Sequence, residues 1–177
     1  VTEIFGRIFY SLALALTSLS ATTMILQATP LVVVAGASIL FNEKVSVIRW
    51  LAIITGFVGV LMIVSPEGRE FNLLSLLAIF GMLGFALRDL ASRAASPKLN
   101  IFTLGCHGFL SLAVAGLILS IISRQSFLSI SNETWLLLAT GISLGVVGYG
   151  SLISAMRIGE VSAITPFRYT RLIFGLS

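Results

Sequence analysis

Four arginines and two carboxylates interrupt otherwise apolar stretches of this 177-residue sequence: Glu3, Arg7, Arg88, Asp89, Arg168 and Arg171. Where such stretches lie in lipid, each embedded charge costs roughly 2.5–3.5 kcal/mol on insertion scales, so each is a functional candidate by default. Glu3 and Arg7 stand four residues apart, so on a helix they share a face and can neutralise each other. That pair reads either as part of a cavity wall, with Glu3 a candidate proton carrier, or as an ion pair at a helix end near the interface. Arg168 and Arg171 are three apart. Counting from Ser162 at about 1.5 Å per residue puts Arg171 roughly 13 Å into its run. Two guanidiniums at that depth should point inward, offering forked donors to a carboxylate or phosphate, with Tyr169 as a neighbour. The alternatives are that Arg168 snorkels to the interface, or that both pair with Glu3 or Glu160.

Thr23, Gln27 and Pro30 fall at i, i+4 and i+7, one face carrying a hydroxyl, an amide and a helix break. Pro30 cannot donate to the Leu26 carbonyl, so the spacing predicts either a locally opened, cavity-lining helix or a kink used for packing. Arg88 and Asp89 are a candidate gate, or an interface salt bridge in which Asp89 pairs with Arg93 at i+4. His107 beside Cys106 has no second ligand at metal spacing, so no metal site is expected and a polar contact between helices is the reading. No nucleophile–base set and no GxxxxGK[ST] loop occurs, so neither catalytic residues nor a cofactor are expected, and direct nucleotide-driven pumping is disfavoured.

The elements that position these groups follow from composition. The chain is 57% hydrophobic and 10% charged, with mean hydropathy +1.07, against about a quarter charged in an average soluble domain. Too few polar groups exist to cover such a chain in water, so the lipid bilayer is its solvent. Net charge is +4, but the basic residues are scattered at the ends of apolar runs, which excludes nucleic acid as a partner. Runs of spanning length lie near 1–17, 21–41, 47–64, 72–91, 101–123, 134–156 and 162–177. Hydroxyls at Thr17, Ser18 and Ser20, the Asn42-Glu43-Lys44 corner, the two Ser-Pro turns at 65–66 and 96–97, and Ser131-Asn132-Glu133 separate them. Both ends fall inside apolar runs, so further spans are expected on each side. Counted on alternate sides, Lys44, Arg49, Arg88, Arg93, Lys98 and Arg157 face Arg69 and Arg124, which puts the first set in the cytoplasm. Small-residue faces at Gly141/Gly145/Gly148, Gly56/Gly59 and Gly81/Gly84 are expected to let helices approach closely.

A shift of 142 positions superposes Gly6 on Gly148, Ala13 on Ala155, Ser20 on Ser162, Ala21 on Ala163 and Thr23 on Thr165. The shift passes an odd number of spans, so a second copy would run opposite to the first, as in inverted-repeat transporters.

The stretch from Ala13-Leu14 through Ser20-Ala21-Thr22, then Thr29-Pro30-Leu31, Glu43, Arg49-Trp50 and Gly56-Phe57-Val58-Gly59-Val60-Leu61, resembles the end of an EamA-like domain of the drug/metabolite transporter superfamily. Ala155-Met156-Arg157-Ile158-Gly159 to Ser162, followed by Thr165-Pro166-Phe167-Arg168-Tyr169-Thr170, resembles the matching region of a second such domain. The family usually has Gly before the loop Glu, where this chain has Asn42. The resemblance implies ten helices in two inverted five-helix repeats around a central cavity, of which this chain covers the third to the ninth helix.

The expectation is therefore an all-α membrane protein, a polytopic transmembrane helix bundle of inverted five-helix repeats truncated at both ends. Residues 1–66 would close the first repeat and 67–177 open the second. It would be a multi-pass protein of the bacterial inner membrane, a secondary-active transporter of a small polar, anionic or zwitterionic solute. Glu3, Arg7, Thr23, Gln27, Pro30, Arg168, Tyr169 and Arg171 would line the cavity and a proton or ion would be the coupling partner, in a monomer or homodimer. The readings from other classes are an intramembrane enzyme acting on a lipid-linked substrate and a structural membrane subunit.

Overall fold

A computed structural model describes residues 2–64, 73–96, 98–123 and 131–170 of the chain. The described elements are helices α1 (Thr2–Leu16), α2 (Leu19–Gln27), α3 (Thr29–Leu40), α4 (Val47–Val64), α5 (Ser75–Ala94), α6 (Ile101–Ser123), α7 (Asn132–Ile158) and α8 (Val161–Ile164). A 3-10 helix, Thr165–Thr170, continues α8. Among the described residues four stretches are long and apolar enough to cross a membrane: Leu19–Leu40, Ser75–Ala94, Ile101–Ile122 and Asn132–Ile158. The protein is an all-α polytopic membrane protein. Large side chains such as Ile39, Phe102 and Leu137 stand on its outside, where an aqueous fold would carry charge.

Local chemistry sets the ends of these helices. Ser18 is extended and its hydroxyl accepts the Ala21 amide at 3.2 Å, which starts α2. Ser131 does the same for Thr134 at 3.3 Å in α7. The expected span at 21–41 is two helices meeting at Ala28, as Pro30 requires. The Leu26 carbonyl is not left open there: the Thr29 hydroxyl donates to it at 2.5 Å. Pro166 likewise has no amide to give, and the chain tightens from α8 into the 3-10 helix.

Asn42 is the non-glycine residue with positive φ, 53°, among those described. Asparagine tolerates the left-handed region better than other side chains, so it holds this corner. The corner aims Glu43 at the start of α8, where its two oxygens accept the amides of Val161 and Ser162 at 3.3 Å each. The same end of the bundle holds an Arg49–Glu160 ion pair and an Arg49–Ser162 hydrogen bond at 2.8 Å. Arg157 donates there to the carbonyls of Leu99, at 2.5 Å, and Ser96, at 3.0 Å.

The centre of the bundle is the crossing of α1 with α5. A Cβ added at Gly84 would come within 2.5 Å of the Gly6 Cα, and one at Gly81 within 3.0 Å of the Tyr10 amide nitrogen. The expected small-residue face on α5 is therefore a backbone contact. The other two faces differ. Gly56 lies under the Tyr169 ring while Gly59 has no described atom within 4 Å of its Cβ position, and neither have Gly141, Gly145 and Gly148. Gly141 and Gly145 instead line a cavity.

Gly84→Ala forces a methyl into the α1 backbone and should cost about 1–3 kcal/mol. A lowered thermal midpoint of the purified full-length protein checks this, and a wild-type midpoint would mean that the two helices are not in backbone contact.

Candidate functional site

Because Gly6 sits on Gly84 and Tyr10 on Gly81, the antiparallel register carries Glu3 to Arg88. One Glu3 oxygen lies 3.5 Å from Arg88 Nη1 and 3.5 Å from Arg7 Nη2, and the other accepts the Tyr149 hydroxyl at 2.9 Å. Arg88 is six residues before the end of α5, about 9 Å inside it. Tyr149 is nine residues before the end of α7, about 13 Å inside. The Glu3–Arg7 pair thus belongs to a cluster between α1, α5 and α7, with Glu3 buried and Arg7 half-buried.

Arg88 and Asp89 belong to the same cluster. Arg88 donates to one Asp89 oxygen from Nε at 2.9 Å and from Nη2 at 2.6 Å, and the other oxygen takes Nη1 of Arg168. Glu3 and Asp89 are 6% and 3% exposed, so the carboxylates are fully inside. Arg88 and Arg168 retain 12% and 17% exposure of their side chains. The Phe85 ring lies 5.6 Å from the Arg7 guanidinium and 5.5 Å from that of Arg88, and the Tyr149 ring 5.6 Å from Arg88. These aromatic faces stabilise the guanidiniums beside them. The expected Asp89–Arg93 pair does not form; Arg93 donates to the Arg157 carbonyl at 2.8 Å. Arg88 therefore drops out of the count of loop charges, which leaves five basic residues at that end of the bundle.

Three cavities converge on this cluster. The largest, about 770 Å³, lies between α1, α6 and α7; Phe109, Leu112, Leu138 and Ile142 give it apolar walls, with Glu3, Arg7 and Tyr149 as its polar end. A second, about 380 Å³, is lined by Ser92, Thr103, His107 and Ser111 together with Glu3, Arg88 and Tyr149. On α7 the first lining runs from Tyr149 to Thr134, and on α6 the second runs from Ser111 to Thr103, toward the other end of the bundle, so Glu3, Tyr149 and Gly108 form the partition they share. The third, about 220 Å³, is bounded by Tyr10, Thr29, Pro30 and Phe85 and by the three arginines Arg7, Arg88 and Arg168.

Of the residues singled out from sequence, Glu3, Arg7, Arg88, Asp89, Arg168 and Pro30 meet here. Thr23, Gln27 and Tyr169 line none of these three cavities. Thr23 bonds back to the Leu19 and Ser20 carbonyls, at 2.8 and 3.0 Å. Tyr169, buried, donates to the Gln27 carbonyl at 3.0 Å and so fastens the 3-10 helix to α2. Arg171 lies outside the described residues, as does the boundary expected at 66–67. His107 bonds within its own helix, to the Thr103 carbonyl at 2.7 Å, rather than between helices. Tyr149 is the participant that residue-by-residue reasoning misses. It carries no charge and stands in an apolar run, so nothing in the sequence singles it out.

No protein-family profile matches the chain. It is similar to the riboflavin transporter of Vibrio cholerae, 26% identical over 148 residues, which are 84% of this chain and 49% of that protein. It is similar also to the S-adenosylmethionine uptake transporter of Rickettsia prowazekii, 25% identical over 170 residues, 96% of this chain and 56% of that protein. The chain is related to metabolite transporters. It spans about half the length of these relatives, and both are named for transport rather than for catalysis. A solved crystal structure superposes on all of this chain and 67% of its own, with a TM-score of 0.74 at 20% identity, so the fold is shared.

Asp89→Asn would leave two buried guanidiniums without their common counterion and should cost about 3–5 kcal/mol. Adding Arg168→Gln should recover part of that loss. Thermal midpoints of the two single variants and the double variant test it; strictly additive losses would show that the two residues are not coupled.

Proposed function

We propose that the protein is a secondary-active transporter of a small polar metabolite, anionic or zwitterionic, working by alternating access in the bacterial inner membrane. The observation that carries this reading is the partition of Glu3 and Tyr149 between two cavities that run toward opposite ends of a membrane-spanning bundle. A solute in the larger cavity would lay an apolar or ring portion along Phe109, Leu112 and Ile142 and turn its polar portion to Glu3, Arg7 and Tyr149. The names of the relatives support the ring-and-tail shape and not the charge, since riboflavin and S-adenosylmethionine each combine a flat heteroaromatic ring with a polar chain, the first uncharged and the second bearing an amino-acid end.

The resemblance to EamA-like domains of the drug/metabolite transporter superfamily supplies the architecture of the proposal: two inverted repeats, divided near residue 66, that rock around the cluster. Lys44, Arg49, Arg93, Lys98 and Arg157 mark the cytoplasmic end of the bundle.

Glu3 is the proposed proton carrier. The charged and titratable groups facing it are Arg7 on α1, Arg88 on α5 and Tyr149 on α7, with His107 of α6 lining the same cavity. Neutralising Glu3 weakens its hold on both arginines and on the tyrosine, which loosens the partition.

Reconstituted in liposomes, the full-length protein should show saturable uptake of riboflavin, S-adenosylmethionine or a related ring-bearing metabolite. Glu3→Gln removes charge-assisted contacts worth about 1.5–3 kcal/mol, so flux should fall by roughly tenfold or more and lose its dependence on a pH gradient. An unchanged pH profile in that variant would remove Glu3 as the carrier. Absence of saturable flux across a broad metabolite panel, with the protein correctly inserted, would remove the transporter reading.

A further inference from the structure

The charges in the central cluster do not balance. Arg7, Arg88 and Arg168 surround a single cavity, while Glu3 and Asp89 are the carboxylates in contact with them. Three guanidiniums against two carboxylates leave one positive charge over. A guanidinium cannot shed its proton in a protein, so this surplus cannot be removed by titration. Arg7 keeps 31% exposure of its side chain, toward the cavities it lines, so at bilayer depth the surplus is met by what enters those cavities.

Among the described residues, the remaining acidic side chains do not supply the balance. Glu43 and Glu160 are engaged at the end of the bundle, with the amides of α8 and with Arg49. Glu133 stands in the first turn of α7, at the opposite end. Glu67 and Glu70 lie outside the described residues.

Hydrogen bonding identifies which arginine carries the surplus. Both oxygens of Asp89 are taken, one by Arg88 and the other by Arg168. Glu3 shares one oxygen between Arg7 and Arg88, each at the long distance of 3.5 Å, and gives the other to Tyr149 at 2.9 Å. Arg7 thus holds half of a distant acceptor, and its Nε is buried with no hydrogen-bond partner. The Phe85 ring covers Arg7 and Arg88 from one side without contributing net charge.

We propose that the cavity of about 220 Å³ bounded by Arg7, Arg88 and Arg168 is a binding site for one monovalent anion, a halide or a carboxylate. The volume admits a small anion and its first contacts, and converging guanidinium forks are the donors that such an ion takes. The anion is either a free inorganic ion that completes the cluster or the carboxylate of the solute itself. This extends the transporter reading to a distinct subsite, and it is measured by binding rather than flux, so the two can fail separately.

The test is the thermal midpoint of the full-length protein in detergent, at constant ionic strength, as bromide or acetate replaces gluconate. A saturable rise is expected, about 5 °C at roughly a hundred times the dissociation constant. Arg7→Gln should abolish the rise, Arg7→Lys should keep it in weakened form, and Lys44→Gln, at the end of the bundle, should leave it unchanged. A rise with bromide that transported solute does not displace identifies a free inorganic anion. A rise with acetate that the solute competes away identifies the solute's carboxylate. No rise with either anion, or a rise undiminished in Arg7→Gln while the lysine variant behaves as wild type, overturns the proposal.

Discussion

The structure depends on two carboxylates held among three guanidiniums in a bundle whose solvent is lipid. An isolated charge at that depth would be expelled or would drag water in with it. Glu3 and Asp89 escape this only because α1, α5, α7 and the 3-10 helix bring their partners within reach. The dependence runs in both directions. Glu3 meets Arg88 because Gly6 and Gly84 let two backbones touch, and those backbones are held in register by the ion pairs that follow from the contact. Removing either would leave the other without its reason, which is why glycine and arginine recur within five residues on α5.

Lipid also explains how much of the fold is legible in the sequence. Apolar runs of spanning length and short polar breaks specify most of the helices, since an apolar run of that length satisfies its own backbone inside a bilayer as a helix; the run at 21–41 is two helices, and the described part of that at 162–177 is a short helix followed by a 3-10 helix. Ser18, Asn42, Pro30 and Ser131 behave as their side chains dictate. Helix ends are read less well. Apolarity fades near Ala91, but α5 continues to Ala94, and those three residues carry Asp89 about 4.5 Å deeper. An aspartate that looks like part of an interface salt bridge is in fact inside the bundle.

The site is legible in kind and not in connection. Charges embedded in apolar runs announce themselves, and six of the residues picked out on that basis or as a helix break converge on one cluster. Their partners do not follow from spacing. Adjacent residues on a helix do not normally face each other, yet Arg88 curls back onto Asp89 because Glu3 and Arg168 stand on either side of the pair. Tyr149 has no neighbour in sequence that hints at Glu3, and Glu43 reaches an amide 118 positions away. Thr23, by contrast, is polar and in a span yet satisfies itself on its own helix, as hydroxyls at bilayer depth commonly do.

The contacts in the cluster are unequal, and their distribution says where it would part. Asp89 holds Arg88 from two nitrogens and Arg168 from a third, which ties α5 to the 3-10 helix. Glu3 holds Arg7 and Arg88 only at 3.5 Å, and its short bond is to the neutral Tyr149. Within the cluster the weaker contacts are therefore those of Glu3, along the partition between the two larger cavities, and the stronger ones back the arginine cavity; the backbone contact of α1 with α5 at Gly6 and Gly84 is separate from both. On the transport reading, a rearrangement that draws α7 from α1 across the partition breaks one hydroxyl bond, from Tyr149 to Glu3, and keeps the α1–α5 backbone contact. It leaves the Asp89 bridge whole, so that Arg88 and Arg168 keep their shared carboxylate throughout.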